Sequence, residues 1–213
     1  MKFNLVYDEP LHSQAADKIF DTKWKIRQYL HTQLAELWSV HPGLKQRARY
    51  TPQRRYFWTE AQHLDPKVPN ENLHRHSAWD RDLQAPIEIG GIKFLPLIRE
   101  SFALACSLRI LFMRKKPAGR IHQGGDLANS MKVFIDALKV PKGEADKVGS
   151  VYPKPIEPIQ CLLEDDASIT RLSVESTRLL NPPGMEENSV RMVVEVDARI
   201  TPAGFYTYSF HGD

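Results

Sequence analysis

The chain has 213 residues, of which 42% are hydrophobic and 26% charged, and its formal net charge is +3. This composition supports one large or two small globular domains, and the charge is too small for a histone-like nucleic-acid binder. The sequence shows no run of about 18 apolar residues and no signal-peptide pattern, so we expect a cytoplasmic protein without a membrane span. Cys106 and Cys161 lie in apolar runs and are expected to be buried free thiols.

Hydrophobic periodicity predicts the elements of the first half of the chain. Residues 2–7 alternate like a short strand, and a turn at the proline that follows leads into a helix over residues 13–40. His41-Pro42-Gly43 is predicted to end this helix. Residues 44–86 are predicted to be mostly irregular. Residues 87–94 are predicted to form a β-hairpin, because Gly-Gly between alternating residues favours a primed turn.

The second half is predicted to be richer in strands. The expected elements are a strand over 101–113 with a basic loop after it, a helix over 126–139 with Asp126 as its N-cap, a proline-rich linker over 140–158, a short buried strand over 159–163, an antiparallel hairpin of 169–180 with 189–200, and an edge strand over 205–210. The order of elements predicts an α+β fold with a mixed or antiparallel sheet and two main helices packed on one face. We expect a single domain over residues 1–213, with an insertion at about 42–98.

Two blocks of polar residues are candidates for chemistry. On a helix turning about 100° per residue, the side chains of Asp126, Asn129, Lys132 and Asp136 share one face. Glu164-Asp165-Asp166 directly follows a short apolar run, and three adjacent acids repel one another unless a cation lies among them. Taken singly, the first block is also typical of a solvated helix face and the second of a turn. Together they provide carboxylates from two elements and a lysine, which suit a divalent metal ion and a phosphodiester.

These blocks resemble the signature of the RusA-like endonucleases, the Holliday-junction resolvases of phages and bacteria. That signature runs DxDNxxK, then a helix carrying Asp-Ala-Leu, and then a hydrophobic strand that ends in Asp-Asp. The matching residues are Asp126, Asn129, Lys132, Asp136-Ala137-Leu138 and Asp165-Asp166. The resemblance is close over residues 101–180, loose over 1–41, and absent over 42–98.

The resemblance implies a Mg²⁺-dependent, structure-selective endonuclease, with Mn²⁺ as a substitute metal, that hydrolyses DNA phosphodiesters in branched DNA such as four-way junctions. It also implies a homodimer, because a four-way junction is two-fold symmetric. By the resemblance Asp126 and Asp166 would ligate the metal with Asp165 beside them, and Lys132 would steady the phosphate. The expected supporting residues are Asn129, Asp136 and Glu164.

Ala128 departs from the family pattern, because the second signature aspartate would stand there. Losing one carboxylate weakens the hold on a hard dication. Three outcomes are left open: a weak single-metal site, a site completed by Glu164, or a catalytically impaired protein that still binds nucleic acid.

Basic residues supply the expected DNA contacts, since phosphate contacts provide most non-specific affinity. The residues expected to bind nucleic acid are Arg114, Lys115, Lys116 and Arg120, just before the acidic helix. A second basic cluster over 45–55 precedes Tyr56-Phe57-Trp58, and it suits either base stacking or a surface loop pinned to the core. A third alternative is an interaction protein that docks a partner through residues 42–98.

Overall fold

The computed structural model describes residues 1–11, 16–47, 86–99, 104–115, 127–142, 157–180 and 189–201. Within these ranges the fold is a mixed α+β fold. The helices are α1 (Ala16–Val40), α2 (Pro42–Arg47) and α3 (Leu127–Leu138), with a short 3-10 turn at Asp166–Ser168. The strands are β1 (Lys2–Pro10), β2 (Ile87–Ile89), β3 (Ile92–Ile98), β4 (Leu104–Arg114), β5 (Ile159–Leu163), β6 (Ile169–Arg178) and β7 (Ser189–Ile200).

The larger sheet has four strands in the order β1-β7-β4-β6. Strand β7 is antiparallel to both β1 and β4, while β6 runs parallel to β4. The predicted hairpin of β6 with β7 is therefore wrong, because β4 lies between them. The physical reason is composition: β4 (LACSLRILFMR) is far more apolar than β6 (ITRLSVESTR). Leu108 and Ile110 of β4 are accordingly fully buried, whereas no residue of β6 is buried. The more apolar strand takes the central position and the more polar one the edge.

The smaller sheet has three strands in the order β2-β3-β5. The hairpin predicted at residues 87–94 is confirmed, and both turn glycines have positive φ, 58° at Gly90 and 76° at Gly91. Strand β5 pairs in parallel with β3. The described strands thus form two sheets where the sequence predicted one, and the end of the expected insertion supplies two strands of the second.

Two prolines lie where the observed element boundaries differ from the predicted ones. Helix α1 ends at Val40 as expected, but α2 begins at Pro42, since proline is well suited to the first position of a helix. Strand β1 continues through the predicted turn to Pro10, which is tolerated because β1 is the outermost strand of its sheet. There Asp8 pairs with Arg191 of β7.

Three predicted segments lie largely outside the described residues. They are the linker over 140–158, the strand over 205–210 and most of the irregular stretch over 44–86.

The main hydrophobic cluster joins α1 and α3 to the inward side chains of β1, β4 and β7. Phe134 of α3 lies fully buried in it, with Tyr7 of β1 at 6.0 Å between ring centroids. A smaller cluster around Trp24 and Phe94 joins α1 to the second sheet. Both cysteines are buried as predicted, Cys106 at 1% and Cys161 at 3% exposure, and burial raises the pKa of each thiol to about 12.

Candidate functional site

Helix α3 carries the first block of the motif. It begins at Leu127, so Asp126 itself lies outside the described residues. Its apolar side is buried as the periodicity predicts, with Met131 and Phe134 in the main cluster, while Asn129 and Lys132 are exposed. Ala128, which stands where the RusA-like signature has its second aspartate, is exposed beside Asn129.

The second block lies at the end of β5, beside the C-terminal end of α3. The amide of Val140 donates to the carbonyl of Leu163 at 3.0 Å, and the amide of Glu164 donates to the carbonyl of Ile98 at 2.9 Å. These two backbone contacts hold the start of the acidic triplet against both the helix end and the end of β3. The second block is therefore a neighbour in space of the C-terminal end of the first block.

Lys139 joins the two blocks. Its Nζ lies 3.0 Å from Asp136 Oδ1 and 3.0 Å from Asp166 Oδ2, and Lys23 Nζ of α1 lies 3.3 Å from Asp136 Oδ2. Burial alone would raise the pKa of Asp136, but Lys139 and Lys23 outweigh it and lower that pKa. The hydrogen bond from Lys139 likewise lowers the pKa of Asp166. Burial would lower the pKa of Lys139, yet its two carboxylate partners raise it.

The other two acids of the triplet also have cationic partners. Asp165 accepts from the amide of Ala167 at 2.8 Å, which caps the 3-10 turn, and it pairs with Lys142. Arg99 Nε donates to Glu164 at 3.3 Å. The repulsion expected among three adjacent acids is thus relieved by two lysines and an arginine of the chain itself.

Arg27 of α1 supports this arrangement from beneath. Its guanidinium is buried at 3% exposure and donates to the carbonyls of Asp136 at 3.1 Å and Lys139 at 3.3 Å. Sequence reasoning missed five cations of this arrangement: Lys23, Arg27, Arg99, Lys139 and Lys142. Of these, only Lys139 had a local signal, because it stands three residues after Asp136 on a helix.

The described residues do not by themselves fit a Mg²⁺ site. Among them, no three His, Cys, Asp or Glu side chains are placed to hold one ion. Asp165 and Asp166 offer the right oxygen donors, but lysines already hold them. Asp166 also lies by the C-terminal end of α3, and the axis from Leu127 to Leu138 is about 16 Å long at 1.5 Å per residue. Asp126 precedes Leu127, at the other end of this helix, so a metal shared by Asp126 and Asp166 would need a rearrangement of the site as well as a displacement of Lys139.

The basic residues of β4 lie away from the acidic triplet. Cys106 pairs with Ile169, close to Asp166, whereas Arg114 pairs with Arg178 at the far end of β6, about 26 Å along the strand. Arg114 lies over the ring of Phe112 at 5.9 Å from its centroid, and Lys115 follows at a bend. Lys116 and Arg120 lie outside the described residues.

Comparison with family models, with curated proteins and with solved structures finds no match to this chain. In the described part of the chain, no helix is both long enough and apolar enough to cross a membrane.

Proposed function

We propose that this chain is a Mg²⁺-dependent, structure-selective endonuclease of the RusA type, acting in the cytoplasm as a homodimer on branched DNA such as four-way junctions. One observation carries the proposal: Asp136, at the C-terminal end of the first motif block, lies against the second block. A single ammonium, that of Lys139, is 3.0 Å from a carboxylate of each block, although Asp166 is 27 residues from Lys139 in sequence.

Under this proposal Asp126 and Asp166 would hold the metal, with Asp165 beside them. Because Asp126 precedes Leu127 and α3 is about 16 Å long, the proposal requires a rearrangement that brings Asp126 to the other end of the helix. The bound metal would supply a water of lowered pKa and would neutralise charge on the phosphate oxygens. Lys132, exposed on the same helix, would contact the scissile phosphate. Lys139 would have to leave Asp166 when the metal binds, because both cations need the same oxygens.

The supporting roles fall to residues around these acids. Asn129 would orient the ligands from the helix, while Asp136 and Glu164 would keep the site acidic. The basic residues from Arg114 to Arg120 would bind the DNA backbone away from the scissile phosphate, because Arg114 lies at the other end of β4.

The test is cleavage of labelled four-way junctions by purified protein with Mg²⁺ or Mn²⁺. We expect cutting by the wild type and a loss of cutting in Asp166→Asn, which removes a metal-binding charge. Glu36→Gln is the matched control, because Glu36 is an exposed acid on α1 and its variant should cut like the wild type. No cutting by the wild type, or undiminished cutting by Asp166→Asn, would refute the proposal.

A second candidate is a nucleic-acid-binding protein on the same fold that has lost catalysis. Two observations favour it: Ala128 replaces a signature acid, and the described acids are neutralised by cations of the chain. It predicts junction binding that weakens steeply as salt rises, without cleavage. Ala128→Asp separates the candidates, since cleavage that appears only in this variant identifies a degraded metal site. Affinity that does not change with salt would contradict this second candidate.

A further inference from the structure

Among the described strands, β6 lies at one edge of the four-stranded sheet. None of its ten residues is buried, and Leu172 is 46% exposed. Within the described ranges, no strand pairs with its outer side. The opposite edge differs: the side-chain amide of Gln33 accepts from the amide of Val6 at 2.9 Å and donates to its carbonyl at 2.7 Å. An exposed edge is a template for pairing with another strand.

The pairing with β4 defines the two faces of β6. Leu172 and Val174 pair with Leu108 and Ile110, both of which are fully buried in the main cluster. Leu172 therefore lies on the core-facing side of the sheet, one strand further out than β4. The alternate residues of β6 lie on the opposite, solvent-facing side; they are Arg171, Ser173, Glu175 and Thr177.

We propose that β6 is an interface between two copies of this chain, paired antiparallel about a two-fold axis through Ser173. In this register Arg171 lies opposite Glu175 of the partner subunit on the solvent-facing side. On the core-facing side Leu172 lies opposite Val174 of the partner subunit, which covers the exposed leucine. The interface is self-complementary, as a two-fold interface must be.

Charge and apolar pattern select this register over its neighbours. An axis half a residue further along the strand sets Leu172 opposite Glu175 of the partner subunit. An axis on Val174 sets Glu175 opposite Ser173 of the partner subunit. Only the axis through Ser173 pairs opposite charges on one side and apolar groups on the other. On the β4 side, the carboxylate of Glu175 lies 4.0 Å from the guanidinium of Arg109. Arg171 of the partner subunit on the other side would therefore continue the alternation of positive and negative residues across the strands.

This inference rests on the homodimer of the proposed function and locates its interface. Its test uses no DNA, so its failure can be told apart from an absence of nuclease activity. The first arm is disulfide trapping with Ser173→Cys. Residues opposite each other in an antiparallel pair have Cα atoms about 4.5–5.5 Å apart, which is within the span of a disulfide. We expect the oxidised variant to form a covalent dimer. Cys106 and Cys161 are buried, so the wild type provides the background without the new thiol.

Thr177→Cys is the matched control on the same side of the strand. In the proposed register it lies opposite Ile169 of the partner subunit, about 26 Å from its own symmetry mate, and should not cross-link. Failure of Ser173→Cys to cross-link, or equal cross-linking of both variants, would overturn the proposal.

The second arm is charge reversal, followed by sedimentation velocity over a range of concentrations. Glu175→Arg should weaken dimerisation about tenfold, because it sets Arg171 opposite an arginine of the partner subunit in two symmetry-related pairs. The double variant Arg171→Glu/Glu175→Arg should restore the dimer, since the charges are exchanged but still complementary. Glu195→Arg is the control, because Glu195 also lies 4.0 Å from Arg109 but belongs to the inner strand β7. A wild type that stays monomeric, or a dimer indifferent to Glu175→Arg, would overturn the proposal.

Discussion

The imidazole of His31 lies half-buried between α1 and β5. Its Nδ1 accepts a hydrogen bond from the amide of Gln160 at 2.9 Å. Burial lowers the pKa of His31, so the folded protein favours the neutral ring that can accept this bond. The Nδ1–H of a protonated ring would instead face the donor of Gln160.

We therefore expect folding stability to depend on His31 in mildly acidic solution. The unfolded chain binds the proton near the ordinary pKa of about 6.5 and the folded chain binds it only at lower pH. The stabilisation is complete above that ordinary value and is lost as the pH falls through the folded-state pKa. Urea unfolding of the wild type and of His31→Asn at several values between about pH 7.5 and 5 measures this difference.

The variant should lose part of the pH dependence that the wild type shows. His41→Asn is the control, since His41 accepts a longer bond, 3.4 Å, from the amide of Leu44 in α2. Equal pH dependence in the wild type and His31→Asn would contradict the prediction.

The C-terminal end of α3 depends on a contact from another helix. The last carbonyls of a helix lack partners within it, and the buried guanidinium of Arg27 binds those of Asp136 and Lys139. Removing this donor leaves buried acceptors unsatisfied. We expect Arg27→Met to lower the free energy of unfolding by about 2–3 kcal/mol.

Chemical denaturation followed by circular dichroism measures this cost. Lys25→Met removes an exposed cation two residues away on the same helix, and it should change the free energy of unfolding by less than about 0.5 kcal/mol. If Arg27→Met unfolds at the same denaturant concentration as the wild type, Arg27 does not hold the end of α3.

Elements defined by local signals were predictable from the sequence. The Gly90-Gly91 turn needs positive φ at both positions, and the faces of α3 follow from its 3.6-residue period. Strand order was not predictable in the same way. The position of β4 between β6 and β7 depends on pairings between residues more than sixty positions apart, such as Cys106 with Ile169. No local sequence pattern encodes such pairings.

The candidate site shows the same limit. The sequence required a cation among Glu164, Asp165 and Asp166, because adjacent acids repel, and the described structure supplies cations there. It did not reveal which cations, since Arg99 reaches Glu164 across 65 residues of sequence. Lys23 likewise reaches Asp136 from a helix more than a hundred residues earlier. That convergence is a property of the packing of α1 on α3.

At the scale of the whole molecule, the two edges of the larger sheet are unequal. Gln33 occupies both backbone groups of Val6 on β1, whereas β6 has no such clamp in the described structure. Gln33→Ala should free the edge of β1 and produce species larger than those of the wild type at high concentration. Gln28→Ala, at an exposed position of the same helix, should sediment like the wild type. Identical profiles for Gln33→Ala and the wild type would contradict this prediction.

The clamp at Val6 also limits how far such association can proceed. A sheet with two available edges can add copies without end and grow into a fibril. The side-chain amide of Gln33 blocks the β1 edge, and a second copy of the chain would occupy the β6 edge. The resulting dimer has no available strand edge in the larger sheet of the described structure to bind a third copy. A single glutamine would then keep the association finite.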